Sequence, residues 1–312
     1  MTHRRADIES TGTVLAELRR ASKAYGSGGA ATLAVQNLDL SVRAGELLAV
    51  LGPNGAGKTT ALGMLTGLTT PTAGSARLFG RDPRDLEARR QMGVMLQSSG
   101  VPDTLRVREL LRAFRGYYPS PLPVASVVEA AGVHGLEDRM FGTLSGGQQR
   151  RLLFGIALCG DPRRVFVDEP TTGLDAEVRR TLWATLRNLA RHGRGVVLTT
   201  HSLEEADALA DRIVVLHQGR VIAEGTPSQI KSLVPGRRIS AESGLAVSEA
   251  GGWPGVHHVE RDGTRLELLV SEPEPVLRQL LERDRSVTGV TVTEPTLEDA
   301  FLTLTDRTEE AA

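Results

Sequence analysis

The stretch Gly52-Pro53-Asn54-Gly55-Ala56-Gly57-Lys58-Thr59-Thr60 constrains this chain more than any other. It follows the apolar run Leu47-Leu48-Ala49-Val50-Leu51 and leads into Ala61-Leu62-Gly63-Met64-Leu65, so it reads as strand, glycine-rich turn, helix. A phosphate-binding P-loop needs that context. Glycines let the backbone curl until several N–H groups point into one concavity. The positive end of the following helix aims at the same spot. Lys58 is placed to reach the β- and γ-phosphates of a nucleotide, and the Thr59 hydroxyl to hold Mg²⁺. The chain has 37 basic residues, yet only Lys23, Lys58 and Lys231 are lysines. A chain this committed to arginine keeps lysine here because a compact ammonium enters a backbone cradle and a planar guanidinium fork does not.

Composition narrows the partners. A length of 312 residues suits one large domain plus a smaller one, or two domains. A net charge of −1 gives no global field to recruit nucleic acid or anionic lipid. The single cysteine, Cys159, excludes an internal disulfide and a cysteine-clustered zinc site, and reads as a small buried hydrophobe in a reducing compartment. No apolar run approaches the ~20 residues of a spanning helix. The opening Met1-Thr2-His3-Arg4-Arg5-Ala6-Asp7 lacks the apolar core of a signal peptide. The expectation is a soluble protein, or one held at a membrane through a partner.

In chain order, residues 1–13 are polar and read as mobile. Residues 14–24 alternate weakly and read as an edge strand, ended by Tyr25 and a flexible Gly26-Ser27-Gly28-Gly29. Strands are expected at 38–42, 47–51, 76–79 and 93–96, the last ending in Gln97. Residues 85–91 read as a solvated helical turn. Residues 104–140 carry helical patterns broken at Pro119, Pro121 and Pro123, an all-helical insertion between strands of the main sheet. Leu144-Ser145-Gly146-Gly147-Gln148-Gln149-Arg150 opens a helix that runs to Cys159. Buried strands at 165–167 and 195–200 enclose a helix at 176–191. A helix at 203–210 and strands at 213–216 and 220–223 follow. This alternation predicts a parallel α/β sheet. Beyond Pro235-Gly236 the character changes. Strands at 237–243, 257–270 and 287–292, a hairpin turn at Asp262-Gly263, and helices at 275–283 and 296–304 read as a small α+β accessory domain without a nucleotide motif.

Four further positions carry chemistry. Asp168 ends an apolar strand, where a P-loop needs a carboxylate for its metal. Glu169 follows it, placed to polarise a water for in-line attack; the bland alternative is a solvated turn. Among seven histidines only His201 follows a buried strand ending Leu-Thr-Thr, and an imidazole there can bond a γ-phosphate and sense its loss. Tyr25 is either a ring that stacks on a base or a turn aromatic. His257 and His258 read as solvated strand residues.

Together these residues closely resemble the ATP-binding subunit of an ABC transporter, over about residues 14–230. Residues 52–59 match Walker A, Gln97 the Q-loop glutamine, Leu144-Ser145-Gly146-Gly147-Gln148 the signature, and residues 165–169 Walker B with the catalytic glutamate. Gly173-Leu174-Asp175 resembles the D-loop, His201 the switch histidine and Tyr25 the A-loop aromatic. The resemblance implies a P-loop NTPase fold of ABC type, with an antiparallel β subdomain and a helical subdomain at about 98–160. Its ATP-binding domain would span 14–232, with an α+β domain at 233–312. It implies that ATP is held by Tyr25, residues 52–60, Ser145, Gly146, Gly147, Gln148 and Asp175. It implies Mg²⁺ at Thr59, Gln97 and Asp168, and catalysis by Glu169, His201 and Gln97. Two copies would pair head to tail, each ATP lying between one Walker A and the other signature, beside a separate permease at the cytoplasmic face of the membrane.

The tail Glu294-Pro295-Thr296-Leu297-Glu298-Asp299-Ala300-Phe301 resembles the C-terminal extension of drug-resistance (daunorubicin-type) exporter ATPases. That implies export of a drug, lipid or other hydrophobic substrate. Residues 98–109 are similar to the permease-facing loop, with Arg106 where a threonine is common. An importer ATPase with a regulatory tail is the nearest alternative. A soluble ABC protein acting on ribosomes or DNA is disfavoured by the single ATPase domain, the missing coiled-coil insertion and the near-zero charge.

Overall fold

Strands β3 (Leu47–Leu51), β6 (Arg164–Asp168), β7 (Gly195–Thr200) and β8 (Arg212–His217) are buried along their whole length. Their near-continuous apolar runs suit parallel strands covered on both faces. They form the middle of a six-stranded sheet of order β5-β6-β7-β3-β8-β9, with β5 (Met92–Met95) and β9 (Arg220–Gly225) at its edges. The pairs β3–β7, β3–β8, β5–β6 and β6–β7 are parallel. Registers set Leu51 beside Thr200 and Asp168 beside Thr199. The strand ends that lead into Gly52, Glu169 and His201 therefore share one carboxyl edge, where open α/β sheets bind their ligands.

The computed structural model describes residues 13–26, 31–97, 100–234 and 236–310, the last with side chains to residue 305. The expectations for residues 1–12, for Ser27-Gly28-Gly29, for Ser98-Ser99 of the permease-facing loop and for Pro235 fall outside these residues.

A second, antiparallel sheet has the order β2-β1-β4, from β1 (Val14–Tyr25), β2 (Thr32–Arg43) and β4 (Ala73–Leu78). Residues 14–24 thus lie in the central strand and not at an edge. Their alternation is weak because the register with both neighbours shifts around Arg20, which has φ 45°. A bulge of this kind breaks the period of two. Leu18, Leu38, Leu40 and Val42 of this sheet meet Leu48, Val50, Val214 and Leu216 of the parallel one. Helix α1 (Lys58–Leu65) adds Leu62, Met64 and Leu65 to the same core. The short α2 (Leu86–Arg89) precedes β5, α6 (Ala176–Arg191) precedes β7, and α7 (Leu203–Leu209) precedes β8.

The insertion is helical as expected. Helices α3 (Val107–Arg115), α4 (Val124–Ala131) and α5 (Gly146–Leu158) share a core of their own, including Leu110, Leu111, Val127, Val128, Leu152 and Ile156. Pro119, Pro121 and Pro123 fill the break before α4, with Pro123 as its N-cap.

The chain divides into two compact units, residues 1–224 and 225–312, so the division falls before residue 233. The second unit holds α8 (Pro227–Lys231), β10 (Arg237–Glu242), α9 (Val247–Ala250), β11 (Val256–Asp262), β12 (Arg265–Val270), α10 (Pro273–Arg283), β13 (Thr288–Thr293) and α11 (Leu297–Glu310). Its sheet is antiparallel with order β11-β12-β10-β13. Asp262 pairs with Arg265, so the turn residues are Gly263-Thr264, one position later than expected. Val276 and Leu280 of α10 close over Ile239, Leu266 and Leu268. Helix α9 has four residues, too few for a periodic signal. The tail motif is intramolecular: Asp299 accepts from Thr296 N and Oγ1 at 2.7 Å and from Arg238 Nη1 at 2.7 Å, joining α11 to β10.

Candidate nucleotide-binding site

Helix α1 begins without a side-chain cap. Its N-cap is Gly57 at φ 100°, and its first turn holds no acidic residue. By contrast α2, α5, α6, α7 and α8 begin on Asp85, Ser145, Asp175, Ser202 and Thr226, each accepting a backbone N–H. The first-turn donors of α1 are left for an anion. The loop is also crowded. A Cβ at Gly57 would lie 2.5 Å from the Ala34 carbonyl oxygen, and one at Gly52 would lie 2.3 Å from that of Leu216. Lys58 is buried, and its Nζ donates to the carbonyls of Gly52 at 2.7 Å and Pro53 at 3.1 Å. Asn54 and Gly55 are exposed, while Ala56 is buried and accepts from Gly219 N at 3.1 Å.

Asp168 and Glu169 are both buried at the end of β6. Thr59 Oγ1 donates to Asp168 Oδ2 at 3.1 Å, and Thr199 Oγ1 donates to Asp168 Oδ1. Glu169 sits at φ 51°, a region few residues other than glycine enter. Its N–H donates to Thr199 O at 3.0 Å. Its carboxylate stands between two far segments, with Lys58 Nζ 3.5 Å from Oε1 and His201 Nδ1 2.6 Å from Oε2. The acidic pair is therefore no solvated turn.

The remaining expected residues are distributed around this centre. Tyr25 is 45% exposed, and its hydroxyl lies 3.5 Å from Thr60 Oγ1. Lys23 Nζ lies 5.2 Å from the centre of its ring. Gln97 is exposed and lies two residues beyond Met95, whose pairing with Val167 is the last between β5 and β6. Ser145 and Gln148 form a capping box: Ser145 Oγ accepts from Gln148 N at 3.3 Å and Gln148 Oε1 from Ser145 N at 3.0 Å. Ser145 and Gly146 are exposed, and a Cβ added at Gly147 would lie 3.4 Å from Leu174 Cδ2. Asp175 caps α6 through Val178 N at 2.9 Å. Among the described residues no hydrogen bond or ion pair joins residues 145–148 to residues 52–60.

Residues 35–172 match the family described as ABC transporter, and residues 225–305 match the ATP-binding protein DrrA1-3-like, C-terminal domain. The Nod factor export ATP-binding protein I of Burkholderia lata is 38% identical over 310 residues, covering 93% of this chain and 97% of that protein. Its namesake in Cupriavidus metallidurans is 37% identical over 314 residues, covering 95% and 98%. The chain belongs to the ATP-binding subunits of ABC transporters. A solved ATP-binding subunit of an ABC transporter aligns with TM-score 0.63 and 27% identity over 70% of this chain and 92% of that one. A dimeric cassette in a post-hydrolysis state, bound to ADP and Pi, aligns with TM-score 0.63 and 26% identity over 68% and 98%.

This ABC subunit binds and hydrolyses ATP, and it is of the exporter type. Its site recruits residues that no motif marks. Arg150 of α5 donates to three carbonyls, of Gln97 at 3.2 Å, Pro170 at 3.3 Å and Glu169. Partial burial pushes its guanidinium pKa down, against the pull of Glu169, Asp168 and Glu205. Glu205 of α7 is fully buried and accepts from Trp183 Nε1 at 3.0 Å. Burial pushes its carboxyl pKa up and Glu169 adds to this, opposed by Thr200, Trp183 and Thr171. Neither residue has a linear signature, because their partners come from distant segments and those of Arg150 are main-chain oxygens.

Proposed function

We propose that this subunit drives an exporter by ATP-dependent pairing of two copies, head to tail, beneath a separate permease at the cytoplasmic face of the membrane. The meeting of Lys58, Glu169 and His201 beside the Thr59–Asp168 pair carries this reading. The dimeric cassettes of like fold support the pairing. Residues 52–60 hold the triphosphate, with Lys58 on its β- and γ-groups. The half-exposed Tyr25 ring stacks on the base. Glu169 accepts the proton of a water that attacks the γ-phosphorus, and ADP leaves. His201 contacts the γ-phosphate beside it. Ser145, Gly146, Gly147 and Gln148 meet the phosphates bound to the partner copy, and Asp175 lies at the same junction. Loss of the γ-phosphate then opens the pair.

Thr59 and Asp168 present a hydroxyl and a carboxylate 3.1 Å apart, hard oxygen donors of the kind Mg²⁺ takes while keeping its other positions for water and phosphate. Gln97 is the third residue assigned to it. When bound there, Mg²⁺ would supply the positive charge that offsets that of the phosphates. Among the described residues no helix is long and apolar enough to cross a membrane, and the transport path is assigned to the permease. Relatives named for Nod factor export and a DrrA1-3-like C-terminal domain support export, and the cargo is assigned as a drug, lipid or other hydrophobic substrate.

Glu169→Gln tests the reading. Glutamine is nearly isosteric and leaves Asp168, the P-loop and the signature in place. Hydrolysis by the permease complex should fall ~10²–10⁴-fold, the usual contribution of a lost acid–base group. ATP with Mg²⁺ should give a larger species than ADP on sizing chromatography. Normal hydrolysis with glutamine at position 169 would refute Glu169 as the base.

A further inference from the structure

We propose that Arg150 is a positioning residue for hydrolysis: its guanidinium clamps the main chain of Glu169 to the helical layer, so that the carboxylate is aligned only while α5 is docked. The inference rests on the reading of Glu169 as the base. Glu169 is gripped at both ends. Its N–H is held by Thr199 O at 3.0 Å, and its carbonyl accepts from Arg150 Nη2. Arg150 Nε holds the next carbonyl, that of Pro170, at 3.3 Å. Between these two anchors the residue keeps φ 51°, the backbone setting that places its carboxylate between Lys58 and His201. A left-handed residue other than glycine persists only where its surroundings over-determine it.

The third bond extends the clamp. Arg150 Nη1 donates to the Gln97 carbonyl at 3.2 Å, so one side chain of the helical layer ties the segment after β5 to the segment after β6. The neighbouring arginine makes no such link. Arg151 Nη1 donates to Gly132 O at 2.7 Å, inside the helical layer. All three acceptors of Arg150 are carbonyls, and no carboxylate pairs with it among the described residues. Its fork geometry, and not its charge alone, therefore does the holding. Hydrogen bonds weaken steeply as they bend and lengthen. A shift of α5 against β6 would thus free the Glu169 peptide before it disturbed the P-loop. Hydrolysis becomes conditional on the seating of the helical layer.

The test compares Arg150→Lys and Arg150→Gln in the permease complex. Both should lower kcat ~10- to 100-fold, the scale of a misplaced catalytic group. ATP affinity should stay at the wild-type value, and both variants should remain folded by circular dichroism at the assay temperature. Hydrogen exchange should quicken over residues 168–175 and stay unchanged over 52–60. In the Glu169→Gln background, Arg150→Gln should add no further loss in single-turnover hydrolysis, because the group it aligns is already gone. Wild-type kcat in Arg150→Lys would overturn the proposal, as would unchanged exchange over 168–175 or a fully multiplicative double variant. Normal hydrolysis by Glu169→Gln alone would instead refute the base. The exchange result would then still decide whether Arg150 holds the turn.

Discussion

Helices α1 and α5 both present an N-terminus assigned to phosphate, yet they are built in opposite ways. The first starts on a left-handed glycine with no cap, a buried lysine and no room for a Cβ. The second starts on Ser145, whose capping box with Gln148 satisfies two end donors within the chain. A Cβ at Gly146 would meet nothing within 4 Å. Open donors cost free energy unless something accepts from them, and here they sit beside the crowded glycines and the buried Lys58, a combination that suits a binding site. The start of α5 is stable by itself and exposed. This suits the proposed role, in which it joins a site supplied by a second copy.

The largest expected effect falls on the α1 side. Lys58→Ala should abolish ATP binding and hydrolysis, and Lys58→Arg should fail as well, because the guanidinium does not fit between the carbonyls of Gly52 and Pro53. Near-normal turnover of the arginine variant would break the contrast at its root. The glycines sharpen it further. Gly57→Ala should lose nucleotide binding, since its φ of 100° and the Ala34 oxygen both oppose a side chain. Gly146→Ala should leave the melting temperature and single-protomer ATP binding unchanged while lowering hydrolysis by the paired complex. If Gly146→Ala instead impairs the lone protomer, the signature helix has a role within its own chain.

Smaller effects test the flanks. Tyr25→Ala should weaken ATP binding by about 1–2 kcal/mol, the scale of an aromatic stacking contact, with Tyr25→Phe close to wild type. Calorimetric titration would decide, and an unchanged dissociation constant would return Tyr25 to a turn aromatic. Ser145→Ala should cost about 1 kcal/mol of stability through its lost cap, read by denaturant unfolding. No measurable change there would mean that Gln148 alone secures the end of α5.

Most of the fold was legible because its signals are local. Continuous apolar runs announced β3, β6 and β7, and prolines announced the break between α3 and α4. The central place of β1 was not, because a bulge at Arg20 hides its alternation and sheet order depends on pairing at long range. The turn at Gly263-Thr264 slipped by one residue because register, unlike turn propensity, is set by the partner strand.

The chemistry divides along the same line. Residues 52–60, Asp168, Glu169 and His201 were marked by the sequence alone, since each lies at or shortly after the end of an apolar strand, and a strand end followed by polar groups is a one-dimensional signal. Their convergence was decided by the parallel registers that bring those strand ends to one edge. Thr199 on Asp168, Arg150 on the carbonyl of Glu169 and Trp183 on Glu205 were decided only by the tertiary structure. A side chain that bonds a backbone oxygen accepts any residue type as its partner. Such a contact writes nothing into the partner's sequence and becomes visible only when the chain is folded.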